Sequence, residues 1–174
     1  MDTLSASVLR DRKPQIGIVL GSGLGALAER IEGAEALPYS DIPGFPVSTA
    51  PEHKGRFVFG TIGDKEVVLM DGRVHLYEGY TPQQVVMPIR LMRQMGIHTV
   101  LLTNASGGIR RDLHAGDLML LTDHISSLVP SPLRGENDPS LGVRFPDMRH
   151  VYDEDLQRLF RQTAKALDIP LKSG

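Results

Sequence analysis

Cysteine is absent from the 174 residues. That excludes a disulfide framework, a thiolate nucleophile and a cysteine-based metal centre, and it fits a cytoplasmic protein. Sustained apolar spans are missing too, although 41% of the residues are hydrophobic, so no membrane-crossing helix is expected. The first residues, MDTLSASVLRDRK, carry no apolar h-region and no cleavage-type site, which gives no sign of export or membrane anchoring. An excess of one charge is also lacking. The formal net charge is -2 with both signs interspersed, so there is no basic footprint for a nucleic-acid polymer. His98, His114, His124 and His150 show no metal-ligand spacing; they are read as structural or exposed, and no metal is expected. No internal repeat or low-complexity tract is visible. What remains is a soluble chain of one domain's length, able to bury a respectable core.

What the sequence does contain is organised around residues 16–25, IGIVLGSGLG. Ile16, Ile18, Val19 and Leu20 make a short aliphatic run of the kind buried on both faces of a parallel sheet. The loop after it suits backbone contact. Gly21, Gly23 and Gly25 leave no Cβ in the way of an anion approaching the amides, and Ser22 adds a hydroxyl. Residues 26–31 read as the start of a helix whose amino end favours such an anion. The alternative is a tight strand-to-helix turn with Ser22 as a cap. A dinucleotide fingerprint also fits the spacing, through Gly21, Gly23, Ala26 and the acidic Asp41. It needs a second parallel strand ending near that acid, but EGAEALPYSDIPGFP has three prolines and no apolar run.

Further along, residues 3–10 allow a short helix. Residues 56–60 and 66–70 are two β-favouring runs joined by a Gly63-Asp64 turn, hence a hairpin and a mixed sheet. Thr81 caps a helix with Pro82 in its first turn, a kink at Pro88, and a stop at Gly96. Residues 97–103, IHTVLLT, form a second buried strand that again runs into a small-residue loop, residues 104–108. Ligands collect outside the carboxyl ends of such strands. Residues 118–122 are a third strand candidate. Residues 126–148 hold four of the twelve prolines and make a long irregular loop. Asp153 caps a final helix with Leu156, Leu159, Phe160, Thr163 and Leu167 on its expected inner face.

The most chemically loaded segment is residues 71–80, DGRVHLYEGY. Arg73, His75 and Tyr77 alternate, so an extended backbone points all three side chains the same way. A guanidinium fork, an imidazole and a phenol then suit an oxyanion, a sugar hydroxyl and a ring face in succession. The competing reading is a solvated edge strand with a polar face. The apolar run before it and the carboxylate of Glu78 favour the site.

GSGLG at residues 21–25, EHKGR at 52–56, GRVHLYEGY at 72–80 and TNASGG at 103–108 together closely resemble the purine nucleoside phosphorylases of the trimeric class. GDLMLLTDHI at 116–125 and RFPDM at 144–148 continue the match, which covers nearly the whole chain in order. Methylthioadenosine phosphorylases differ at both GSGLG and the R-x-H-x-Y-E-G element and stand second. The resemblance implies a three-layer α/β fold, with a central mixed, largely parallel sheet flanked by helices. It implies that Ser22, His53, Arg73, His75 and the N–H of Ala105 hold inorganic phosphate. His75 and Glu78 are then the residues at the reacting centre, Glu78 orienting or charge-balancing the cationic pair rather than attacking. Tyr77 contacts the ribose, and Phe145 reaches a neighbouring subunit's ribose pocket, so a homotrimer is expected. Phosphate is a co-substrate and no other cofactor is implied. For His53 alone, a surface loop histidine beside Lys54 is the competing reading.

Two departures stand out. Ser106 replaces the alanine usual in the family motif. The family also continues past LKSG into a G-P-x-x-E-T element and purine-binding residues, including an Glu and an Asn, whereas this sequence stops at Gly174. Residues 1–174 are therefore expected to form one phosphorylase domain lacking its carboxyl-terminal part. The activity expected of the complete domain is phosphorolysis of purine nucleosides. Two other classes remain as alternatives, a non-catalytic phosphate-binding fragment and a nucleotide-dependent oxidoreductase. The second is disfavoured by the missing strand.

Overall fold

Strands form where aliphatic and β-branched residues concentrate, and their pairing decides where the loops emerge. The computed structural model describes residues 13–48 and 54–174. The helix expected at residues 3–10 lies outside the described residues. The chain divides into two compact units, Met1–Ala105 and Ser106–Gly174.

In the first unit IGIVL folds as β1 (Ile16–Leu20). Residues 26–31 do not start an α-helix; a single 3₁₀ turn at Gly25–Glu29 follows instead, and the chain enters β2 (Glu32–Pro38). The expected hairpin is β3 (Arg56–Ile62) and β4 (Lys65–Asp71). Thr81 caps α1 (Pro82–Val85), its Oγ1 accepting from Gln84 N at 3.3 Å. A kink at Pro88 is expected, but the helix is interrupted outright at Val86, and α2 (Met87–Gln94) begins anew with Pro88, which lacks an N–H, in its first turn. Gly96, at φ +90°, ends that helix and leads to β5 (Thr99–Leu102).

The sheet order is β2-β3-β4-β1-β5. β2, β3 and β4 are successively antiparallel, while β1 runs parallel to both β4 and β5. The sheet is mixed, as expected. In register, Leu20 lies opposite Asp71 and Val19 opposite Leu102. The carboxyl ends of three neighbouring strands therefore fall together, and the loops that follow them leave the sheet at one edge. Alternation along the strands splits the core. Phe57, Phe59, Val68 and Met70 pack with Tyr39, Phe45, Met92 and Ile97 on one face. Val58, Val67, Leu69 and Leu20 pack with Ala28 and Ile31 on the other. Phe57 is fully buried, with Tyr39 and Phe45 ring centroids at 5.0 and 5.6 Å. Each such side chain contributes roughly 1.5–3 kcal/mol by leaving water.

In the second unit β6 (Leu118–Leu120) pairs in parallel with β7 (Leu171–Ser173), so the strand candidate at residues 118–122 belongs to a separate two-stranded sheet. Asp153 Oδ1 accepts from Leu156 N at 2.9 Å and opens α3 (Glu154–Ala166), as its sequence predicts. The expected inner face of that helix is not an inner face here: Leu159, Phe160 and Leu167 are exposed. Among the described residues no helix is long and apolar enough to cross a membrane.

Candidate functional site

The site grows from the edge where β1, β4 and β5 end together. Thr103, the residue after β5, extends the parallel ladder by donating its N–H to Val19 O at 3.1 Å. Its hydroxyl donates to the same carbonyl at 2.7 Å and accepts from Gly21 N at 2.7 Å. The glycine loop is thereby folded against the loop after β5. A Cβ at Gly21 would stand 2.9 Å from both Asn104 Cα and Thr103 O, so no side chain fits there. Ser22, next in the chain, is exposed on this loop, and Ala105 is exposed two residues past Thr103.

The third loop follows β4. Gly72 O accepts from the buried Tyr39 hydroxyl at 2.7 Å, which fixes the chain where it leaves the strand. Arg73 then reaches sideways, its Nη1 donating to Thr103 O at 2.7 Å and its Nε to His75 Nε2 at 3.4 Å. With His75 Nε2 accepting, the proton belongs on Nδ1, which meets Glu78 Oε1 at 2.9 Å. Glu78 Oε1 also accepts from His75 N at 2.8 Å, and Ser48 Oγ donates to Oε2 at 3.2 Å. The Glu78 side chain is 1% exposed and that of His75 24%, so a buried carboxylate holds a half-open imidazole. The alternating-strand picture of this segment needs correcting. Residues 72–75 are irregular, and Leu76–Glu78 is a 3₁₀ turn. That turn, rather than an extended backbone, stacks the Tyr77 ring on His75 at 4.7 Å and 19°. Tyr77 is 76% exposed, which leaves its outer face open to a ligand.

Beneath the glycine loop lies an ionic layer. Asp71 is buried, Arg56 Nε donates to its Oδ2 at 2.9 Å, and Arg56 Nη2 meets Glu29 Oε1 at 3.3 Å. Lys54 also pairs with Glu29, and these cations hold its carboxyl below the usual carboxylate range. Burial, helped by the nearby Asp71 charge, pushes the Tyr39 phenol up. Tyr80 OH donates to Val47 O at 2.7 Å and accepts from Val47 N at 3.2 Å, which ties residues 47–48 to the 78–80 turn.

The structure thus brings Arg73, His75, Tyr77 and Glu78 together and binds them to the loops that carry Ser22 and Ala105. His53 lies outside the described residues. Phe145 belongs to the second unit, where it is 87% exposed with the Arg144 guanidinium 5.9 Å from its ring centroid. Asp71, Tyr39, Ser48 and Thr103 went unnoticed in the sequence. Only Thr103 had a visible signal, being a hydroxyl directly after the aliphatic run at residues 100–102, where the chain turns into the small-residue loop.

Chemically, the loops at this edge carry a guanidinium, an imidazole and a glycine run joined through Thr103, with a phenol ring stacked on the imidazole. That set matches a tetrahedral oxyanion joined to a flat or hydroxylated group. The phosphorylase superfamily profile matches residues 15–174. The chain is 48% identical over 161 residues to purine nucleoside phosphorylase 1 of Bacillus subtilis (strain 168), covering 92% of this chain and 59% of that protein. Among solved structures, isoform 2 of the Schistosoma mansoni enzyme, in complex with cytosine and ribose-1-phosphate, superposes with a TM-score of 0.86 at 42% identity. That match covers 92% of this chain and 58% of that one. A schistosoma purine nucleoside phosphorylase in complex with hypoxanthine gives a TM-score of 0.86 at 39% identity, over the same 92% and 58%. The chain therefore spans little more than half the length of these relatives.

Proposed function

Because the chain belongs to the phosphorylase superfamily, we propose that it supplies the phosphate-binding part of a purine nucleoside phosphorylase. The substrate class is a purine ribonucleoside or deoxyribonucleoside such as inosine or guanosine, with inorganic phosphate as co-substrate. The observation that carries this reading is the run of contacts from Glu78 through His75 and Arg73 to Thr103 and Gly21. Of the ligands named for the two schistosome structures, cytosine, ribose-1-phosphate and hypoxanthine, the last two are a sugar phosphate and a purine base of the kind this reaction releases.

In this reaction the phosphate dianion sits under the anomeric carbon. The bond from that carbon to the base nitrogen breaks with its electron pair leaving on the base, and a phosphate oxygen bonds to the carbon. A sugar cation forms between the two events and is stabilised by the bound anion. Arg73 meets the phosphate as a fixed fork, His75 as a donor or acceptor kept in one orientation by Glu78, and Ser22, His53 and the Ala105 N–H complete the cradle. Tyr77 lies against the ribose. Phe145 enters the ribose pocket of a neighbouring copy, which makes the working assembly an oligomer, and the family resemblance favours a ring of three. The setting is cytoplasmic purine salvage. Donors to the departing base are assigned to the region of the relatives that this chain does not span, and such a group is worth about 10²–10⁴ in rate.

The test compares this chain with one extended through that region, using inosine and phosphate. Both should bind phosphate, and the extended chain should turn over at least about 10²-fold faster. Comparable turnover from the short chain would place base recognition within residues 1–174. Light scattering of the extended protein should give a trimer, and a fully active monomer would remove Phe145 from its role.

A further inference from the structure

Thr103 stands where two loops of the anion cradle meet, and its part-buried hydroxyl is engaged by backbone groups on both sides. It donates to Val19 O and accepts from Gly21 N, both at 2.7 Å. The hydroxyl therefore spans the notch where β1 ends, gripping the strand on both sides of Leu20. The same residue's carbonyl receives Arg73 Nη1 at 2.7 Å. Gly21 is buried and packs against the Thr103–Asn104 backbone, at a distance that leaves no room for a Cβ. The amides of the glycine loop and the guanidinium of Arg73 thus share one reference point.

We infer that Thr103 is a positioning residue: its hydroxyl bonds couple the glycine loop to Arg73 and so set the width of the oxyanion cradle. The inference rests on the phosphate reading of this site, and it concerns a side chain that holds the cradle through backbone groups. Valine has nearly the same shape but can neither donate nor accept, so Thr103→Val leaves the buried Gly21 N–H without its acceptor. The loop then relaxes away from β5, and the Thr103 carbonyl that anchors Arg73 moves with it. Serine keeps the hydroxyl.

The test uses Thr103→Val, Thr103→Ser and Arg73→Ala, each compared with the parent chain by phosphate calorimetry and by amide and guanidinium NMR. In Thr103→Val, exchange at the Gly21 amide should speed up, the Arg73 Nε–H signal should shift or broaden, and phosphate affinity should fall about tenfold. Thr103→Ser should restore all three. Phosphate affinity unchanged in Thr103→Val but lost in Arg73→Ala would overturn the positioning role while leaving the site intact. Absence of phosphate binding in the parent would overturn the site reading. The NMR arm still decides the coupling in that event, because a Gly21 change without any Arg73 response overturns it. A variant that melts before assay is replaced by Thr103→Ala, read against Thr103→Ser in the same way.

Discussion

The two compact units are held in different ways. In Met1–Ala105 the strands close over Phe57, Phe59, Val68 and Leu69, all 1% exposed or less, and polar groups such as Tyr39 and Asp71 are buried only with partners. In Ser106–Gly174 no described residue is buried. Its order comes from local devices: the Asp153 cap, the bidentate Arg110–Asp112 pair, and Arg144 donating to the carbonyls of Leu133 and Gly135 at 2.8 and 2.7 Å. Exposed ion pairs are screened by water, and a short helix with an uncovered apolar face is marginal by itself. A rigid site needs side chains locked from several directions, and only the first unit provides that. The gathered cations and glycine amides lie there.

The sharpest way to break this contrast is to empty the core of one unit and the apolar surface of the other. Phe57→Ala should cost about 3–5 kcal/mol in urea denaturation, because its cavity is ringed by aromatics that cannot collapse into it. Phe160→Ala, on the exposed face of α3, should stay within about 0.5 kcal/mol. Equal costs would mean that the second unit has a core of its own.

Function should divide in the same way. Arg73→Ala removes a charge-assisted fork and should weaken phosphate binding by about 1.5–3 kcal/mol per bond lost, roughly 10- to 150-fold. Arg149→Ala, in the second unit and paired with Asp147, should leave phosphate affinity unchanged. A reversal of the two results would move the anion site out of the first unit.

A smaller effect sharpens the account of burial. The Tyr39 phenol is held above its ordinary value of 10.0. The unfolded chain releases this proton near pH 10 while the folded chain keeps it, so Tyr39 stabilises the fold fully below that pH and progressively less as pH rises above it. Tyr39→Phe should lose about 0.5–1.5 kcal/mol at pH 7, with the bond to Gly72 O, and should show a shallower alkaline decline than the parent. Parallel pH profiles would mean that Tyr39 is not protected from titration.

The same contrast explains what could be read from the sequence. β1, the hairpin, the Thr81 cap and the Asp153 cap are all local signals, and the structure carries each of them; β5 forms too, but as a half-buried edge strand with Leu102 exposed rather than the buried strand expected, because no strand among the described residues covers its outer side. β2 was invisible because EGAEALP offers no apolar run. It is an edge strand, exposed along nearly its whole length and held through backbone pairing with β3. Arg73, His75, Tyr77 and Glu78 were legible by residue type. Their geometry was not, because a 3₁₀ turn and the reach to Thr103 depend on which strands lie side by side. The burial of Asp71 against Arg56 is likewise a fact of pairing, since Arg56 stands opposite Asp71 only once β3 and β4 have zipped. The apolar stripe of α3 had a clear period, but a period names a face and not what covers it.

The most direct measurement is a titration of inorganic phosphate into the labelled chain, followed by backbone and guanidinium NMR shifts. The shifts should concentrate at residues 21–25, at Asn104 and Ala105, and at the Arg73 and His75 side chains, saturating together with one affinity. Shifts confined to Arg110, Arg144 or Arg149 in the second unit, or no saturable shift at all, would contradict a phosphate cradle built at the shared edge of β1, β4 and β5.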